Sequence, residues 1–174
     1  MANKRRYGGF IIHAGTVLVF IGIIASSFFS VDKVFTVQEN ESFELRGYDL
    51  KFAGLSELRD PEKNVVFATI EVSENGKSLG QMFPQKHFHH KNDQPATEVA
   101  IRSRLYEDLY IVLSGWDENG SVSFHVFVNP MVQLIWIGIG IMSLGGVFVI
   151  FPDRKPTAAR ATRRAPEEAQ DEAA

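Results

Sequence analysis

Cysteine is absent from all 174 residues. That excludes a disulfide, a thiolate metal site, a CxxC redox pair and a CxxCH attachment site within the chain. Tryptophan is scarce, limited to Trp116 and Trp136. Charge is missing from two long stretches. After Arg6 no formally charged residue occurs until Asp32, and none occurs from Met131 to Phe151. Each run reaches the roughly 20 residues needed to cross about 30 Å of hydrocarbon at about 1.5 Å per residue. A composition 45% hydrophobic and 11% aromatic excludes a disordered chain. The first run does not read as a signal peptide. Its apolar part is too long, and no small-x-small site ends it, Ala25-Ser26-Ser27 being the nearest.

One ionisable residue lies inside the first run. His13 is two turns from the basic group Lys4-Arg5-Arg6, too deep for an interfacial position. An intramembrane imidazole needs a partner, and its default reading is functional. On a helix, Gly9, His13, Thr16, Val17, Phe20 and Ile24 share one face, while Gly8, Gly15 and Gly22 fall on nearly the opposite one. Small residues admit a second helix at close range. The second run carries Gly138, Gly140, Gly145 and Gly146 and no acid, base or histidine, so it reads as a packing helix.

Basic flanks set the orientation. Lys4, Arg5 and Arg6 precede the first span, and Arg154 and Lys155 follow the second. Both termini are therefore expected in the cytoplasm, with residues 32–130 outside. That outer segment holds 16 acidic and 10 basic residues, a net charge of −6, which argues against nucleic-acid binding. Its texture is β. Short alternating segments run over 34–37, 42–45, 48–52, 65–73, 78–83, 97–103, 109–115 and 121–128, with hairpin signals at Asn75-Gly76 and Asn119-Gly120. Pro84 to Pro95 reads as a polar stretch, and Pro130 suits the entry to the second helix. The expected fold is membrane α + β: two transmembrane helices flanking an extracytoplasmic antiparallel β domain, either a sandwich or a partial barrel. The expected boundaries are a cytoplasmic lead at 1–6, helices at 7–31 and 131–151, the β domain at 32–130 and a disordered cytoplasmic tail at 152–174.

Few residues can carry chemistry. His13 is a candidate metal ligand or proton relay; a neutral imidazole is a good axial ligand for haem iron within a helix bundle. His87 and His89 would share a strand face, with His90 and Asp93 near, but no full ligand set follows, so a solvated loop is the plainer reading. His125 reads as an ordinary strand residue. Glu98, Ala100 and Arg102 would share one strand face, where Glu98 and Arg102 could pair. Nothing forms a hydrolase triad, a phosphate loop or a paired-carboxylate site.

Three stretches together resemble the C-terminal part of the CcmF and NrfE-type family of cytochrome c biogenesis proteins. They are Arg5-Arg6-Tyr7-Gly8-Gly9-Phe10-Ile11-Ile12-His13-Ala14-Gly15; Thr97-Glu98-Val99-Ala100-Ile101-Arg102-Ser103 with Asp108-Leu109-Tyr110; and Val128-Asn129-Pro130-Met131 with Ile135-Trp136. Order and spacing match over about residues 4–152. The resemblance implies a subunit of a haem lyase, which receives haem from a CcmE-type chaperone and joins it to apocytochrome c presented by a CcmH-type partner. It also implies a b-type haem in the bilayer, shared with a partner subunit, for which His13 is one axial ligand, and a periplasmic β domain at the bacterial inner membrane. The family's tryptophan-rich WWD segment and its other haem-binding histidines have no counterpart here. The chain is therefore expected to work as a C-terminal module beside a larger CcmF-like membrane subunit, and not to be active alone. Where the family tends to Lys-Arg-x-Tyr, this chain has His87 and His89, so no haem role passes to His87, His89 or His90. The rival reading is a non-enzymatic two-span anchor displaying a protein-interaction domain; a transporter subunit is a third.

Overall fold

The computed structural model describes residues 4–89 and 94–150. Two helices, α1 (Lys4–Phe28) and α2 (Val132–Ile150), bracket ten strands. These are β1 (Val31–Val37), β2 (Ser42–Leu45), β3 (Tyr48–Arg59), β4 (Lys63–Glu74), β5 (Lys77–Met82), β6 (Gln85–His89), β7 (Ala96–Glu98), β8 (Ala100–Ser103), β9 (Glu107–Trp116) and β10 (Val122–Pro130). The expected tail at 152–174 lies outside the described residues.

The helices run antiparallel and meet through glycine. Gly8 faces Gly145 and Val149, Gly15 faces Gly138 and Met142, and Gly22 faces Met131 and Ile135. The repeat is seven residues on both helices, the period that keeps one seam facing its partner in a left-handed pair. Backbones touch: a Cβ placed on Gly15 would lie 2.7 Å from the Gly138 carbonyl oxygen, and one on Gly138 would lie 2.7 Å from the Gly15 oxygen. By contrast, Gly9, Gly140 and Gly146 have nothing within 4 Å of such an atom. The face expected to receive another helix does so, and its partner is the second apolar run of the same chain.

The strands close into a sandwich rather than a partial barrel. One sheet has the order β1-β10-β9-β8; the other has β2-β3-β4-β6-β7, with β5 on the remaining length of β4. All pairings are antiparallel. Inward residues alternate along each strand, as a half-buried sheet requires. Tyr48, Leu50, Phe52, Ile70 and Val72 meet Ile111, Leu113, Phe124 and Val126 across the gap. Phe124 anchors the centre, its ring 5.3 Å from Phe52 and 6.1 Å from Phe43. Asn75-Gly76 makes the expected tight hairpin, with φ of 50° and 75°, the left-handed pair such a turn needs.

Two local expectations change. The polar stretch after Pro84 contains a strand: β5 and β6 lie end to end along one edge of β4, interrupted at Phe83-Pro84, where Ala68 N–H still reaches the Pro84 carbonyl at 3.0 Å. Polar composition hid this segment because none of its residues is buried in the core, although it pairs with β4 on one side and β7 on the other. The run 97–103 is not one strand. It breaks at Val99, with β7 joining one sheet and β8 the other. Glu98 and Arg102 therefore sit in different sheets, and Glu98 pairs instead with His87, at 3.2 Å.

The sandwich is tied to the helix pair at one end. Arg46 Nη1 donates to the Phe29 carbonyl at 2.7 Å, bringing a cation to the negative end of α1. Tyr48, fully buried, donates its hydroxyl to Glu107 at 2.9 Å, and Arg46 lies 3.8 Å from the same carboxylate. Arg104 binds Glu74 at 2.7 Å. Asp108, 2% exposed, is the buried carboxylate among the described residues. It accepts from the Arg104 backbone N–H at 3.1 Å and from the Tyr110 hydroxyl at 3.4 Å. Met131 closes the junction with φ of 60°, its N–H bonded to the Tyr106 carbonyl at 2.8 Å. A left-handed non-glycine residue costs about 1–2 kcal/mol, so this bend is held from outside itself.

Two predictions follow from these contacts. Gly15→Ala or Gly138→Ala drives a methyl into backbone and loosens the helix pair by about 1–3 kcal/mol, the usual range for overpacking, while Gly140→Ala leaves it unchanged; unfolding in detergent measures both. Burial, then Glu107, pushes the Tyr48 phenol above its ordinary value. Its contribution is therefore complete below about pH 10 and lost as pH rises through the folded-state value. Urea midpoints should fall above pH 10 more steeply for the native chain than for Tyr48→Phe.

Candidate functional site

His13 sits in the first half of α1, seven residues past Arg6, about 10 Å along the axis. Its ring is exposed on the side of α1 away from the Gly8, Gly15 and Gly22 seam. The reason is angular. Positions 8, 15 and 22 advance by nearly two full turns each, and position 13 falls on the far side of the cylinder. Val17, Phe20 and Ile24 extend the same surface and are 56%, 60% and 53% exposed. Thr16 turns its hydroxyl back onto the Ile12 carbonyl at 2.9 Å, so it offers no free donor to that surface. The result is an apolar helix face with one imidazole on it.

The imidazole is oriented by the helix itself. His13 Nδ1 lies 2.8 Å from the Gly9 carbonyl oxygen, one turn earlier. A carbonyl only accepts, so Nδ1 carries the proton and donates. Nε2 then holds the free lone pair and points away from the backbone. Metal-bound histidines are commonly arranged this way, with one ring N–H on a carbonyl and the other nitrogen free. The donor set amounts to one imidazole. It suits a group that brings most of its own ligands, and it does not suit a bare cation, which needs several.

Two other histidines, His87 and His125, have partners for their ring nitrogens. His87 lies on β6, not in a loop. Its Nε2 faces Gln85 Oε1 and Glu98 Oε2, each at 3.2 Å, and its Nδ1 faces the Lys63 ammonium at 3.5 Å. The ammonium donates to Nδ1, and Nε2–H donates to the oxygens, so neither nitrogen remains for a metal. His89 lies on the same face, ring centroids 6.4 Å apart. His90 and Asp93 lie outside the described residues. Among the described residues no group of three His, Cys, Asp or Glu side chains is arranged to hold a metal ion. His125 is a strand residue, as expected, with one addition the sequence did not signal. Its Nε2 meets Asp32 at 2.8 Å across the β1–β10 ladder, and its ring lies 4.0 Å from that of Phe127. As a partly exposed pair this contributes about 0–1 kcal/mol.

Comparison with known proteins adds three findings. Residues 28–130 match the family described as the CcmF C-terminal beta-sandwich. The cytochrome c-type biogenesis protein CcmF of Haemophilus influenzae is 30% identical over 152 residues, covering 87% of this chain and 24% of the relative. CycK of Bradyrhizobium diazoefficiens is 30% identical over 166 residues, and CcmF of Escherichia coli 28% over 155, each again for about a quarter of its length. Among solved structures, a chain titled cytochrome c heme lyase CcmF superposes with a TM-score of 0.73 at 20% identity, over 87% of this chain and 25% of that one. That likeness shows the fold. The chain thus spans about a quarter of the length of the relatives it matches.

The hydrogen bond to Gly9 makes a prediction about the proton. Nitrogen NMR of histidine-labelled protein in lipid should find His13 as the Nδ1–H form with Nε2 bare. A dominant Nε2–H signal would remove the basis for ligation.

Proposed function

Because the chain belongs to the CcmF C-terminal β-sandwich family, we propose that it is the C-terminal module of a CcmF-like haem lyase in cytochrome c maturation. In this reading α1 and α2 cross the bacterial inner membrane, both termini are cytoplasmic and the sandwich is periplasmic. Among the described residues these are the two helices long and apolar enough to cross a bilayer. The basic residues outside each span and the acidic domain between them support the orientation. The domain division is 1–6 for the lead, 7–31 and 131–151 for the spans, 32–130 for the sandwich and 152–174 for the tail.

The observation that carries the proposal is the outward Nε2 of His13, held by the Nδ1–H bond to Gly9 at 2.8 Å on a face that α2 leaves free. A b-type haem fits this donor set, since a porphyrin supplies four nitrogens and asks for one imidazole per side. Such a haem supplies one-electron chemistry when bound. The chain's own part is to orient the ring, to fix its tautomer and to border it with the apolar side chains of Val17 and Phe20 on the same face. A further ligand would come from the rest of the CcmF-like assembly, which would also carry the WWD segment and meet CcmE-type and CcmH-type proteins and apocytochrome c.

The test is co-expression with a CcmF-like subunit, followed by haem absorption of the purified membrane complex. His13→Ala should lower haem content by roughly tenfold or more, the scale on which metal sites respond even to loss of a supporting group, while Thr16→Ala should not. Full absorption and unchanged cytochrome c yield in His13→Ala would leave only the two-span anchor.

A further inference from the structure

The end of the sandwich nearest the helices presents an unusual tip. The connection between β8 and β9 is Arg104-Leu105-Tyr106, and Leu105 and Tyr106 are 56% and 71% exposed. Exposed single apolar residues need no explanation. Two adjacent large ones at the tip of a loop do, because such tips are ordinarily small or polar. Their depth is defined. The Tyr106 carbonyl accepts from Met131 N–H at 2.8 Å, so the loop sits where α2 begins. Phe28 and Phe29, 80% and 63% exposed, mark the end of α1, joined to the sandwich through Arg46 at 2.7 Å. Trp136, 65% exposed, lies about 7 Å farther along α2.

We infer that the Leu105-Tyr106 loop inserts into the lipid interface of the outer leaflet and, with Phe28, Phe29 and Trp136, seats the sandwich on the bilayer. Aromatic residues concentrate at that boundary because they have an apolar body and a polar edge. The charge pattern agrees. The sandwich is acidic, yet the three carboxylates bonded at this loop are engaged internally: Glu107 by Tyr48 and Arg46, Asp108 by Arg104 N–H and Tyr110, and Glu74 by Arg104. Those three carboxylates therefore offer no free charge to anionic lipid. Part of the loop backbone is already bonded. Arg104 N–H reaches the Glu107 carbonyl at 3.1 Å, and the Tyr106 carbonyl is taken by Met131. Unsatisfied backbone groups are what keep most loops out of lipid. The loop enters only the interfacial layer, since it has no further strand or helix to carry it deeper.

The inference rests on the reading that α1 and α2 span a bilayer, and the experiment separates the two. The absence of cysteine allows single-site labelling of the full chain. Leu105→Cys and Tyr106→Cys each receive an environment-sensitive fluorophore, with Val17→Cys as a mid-span reference and Lys51→Cys as a reference on the exposed outer surface of the sandwich. The protein is placed in phosphatidylcholine–phosphatidylglycerol vesicles carrying nitroxide lipids labelled near the headgroup or deep in the acyl chain. The Leu105 and Tyr106 probes should be quenched several-fold more by the shallow nitroxide than the Lys51 probe, and several-fold less by aqueous iodide. The Val17 probe should respond to the deep nitroxide. Iodide quenching of the loop probes equal to that at Lys51, with Val17 still quenched from within the lipid, overturns the inference and leaves the spans intact. Loop probes shielded from both iodide and nitroxide overturn it in favour of a protein contact. A Val17 probe unresponsive to lipid overturns the spanning reading itself.

Discussion

Backbone contact between two helices is the constraint on which this structure depends. Where Gly15 and Gly138 face each other, no side chain separates the helices, and a single methyl would strike a carbonyl oxygen. In a bilayer, lipid tails are as apolar as leucine, so helix association rests on such close packing rather than on a hydrophobic drive. The seven-residue repeat of glycine locks the rotation of α1 about its own axis. Once that rotation is set, the direction of His13 is no longer free. It must point away from α2, toward whatever covers the opposite face.

The same pair sets the geometry of the sandwich. α1 runs into β1 after only two residues, and β10 runs into α2 through Met131. β1 and β10 are neighbours in one sheet, paired from Val31↔Val128 onward. Two antiparallel helices thus continue into two antiparallel strands, and the domain has little freedom to rotate over its base. The polar groups at this end remove what remains. Arg46 bridges the end of α1 to Glu107, Glu107 holds the buried Tyr48, and Arg104 joins the neighbouring loop to Glu74. The sandwich is an extension of the helix pair rather than a domain on a tether.

Much of this was legible in residue order, and the reasons differ. The two apolar helices were visible because uncharged runs of some 20 residues stand out in residue order. The glycine seam and the His13 face were visible because helical spacing is a local property. Asn75-Gly76 announced its hairpin because few residues adopt two left-handed conformations in succession. The break at Val99 was not visible. The alternation of 97–103 fits one strand as well as two, and only the second sheet decides where Ala100 goes. β6 was hidden by its polar residues. The Arg46–Glu107–Tyr48 and Arg104–Glu74 groups join residues dozens of positions apart, and nothing in their spacing connects them. His87 read as a loop residue because Glu98 and Lys63 reach it from neighbouring strands.

By itself the order of residues determined the two apolar helices, the β character of the segment between them and the isolation of one imidazole on one helical face. Each depends on composition and on periods of two and 3.6 residues, which involve near neighbours alone. Tertiary structure alone decided that the glycine seam closes on the second helix of the same chain. It also decided that the Glu98–Arg102 pairing gives way to Glu98–His87, and that the carboxylates beside the helices are internally paired. Those outcomes depend on which distant segments lie side by side, and a linear pattern carries no distance across a fold.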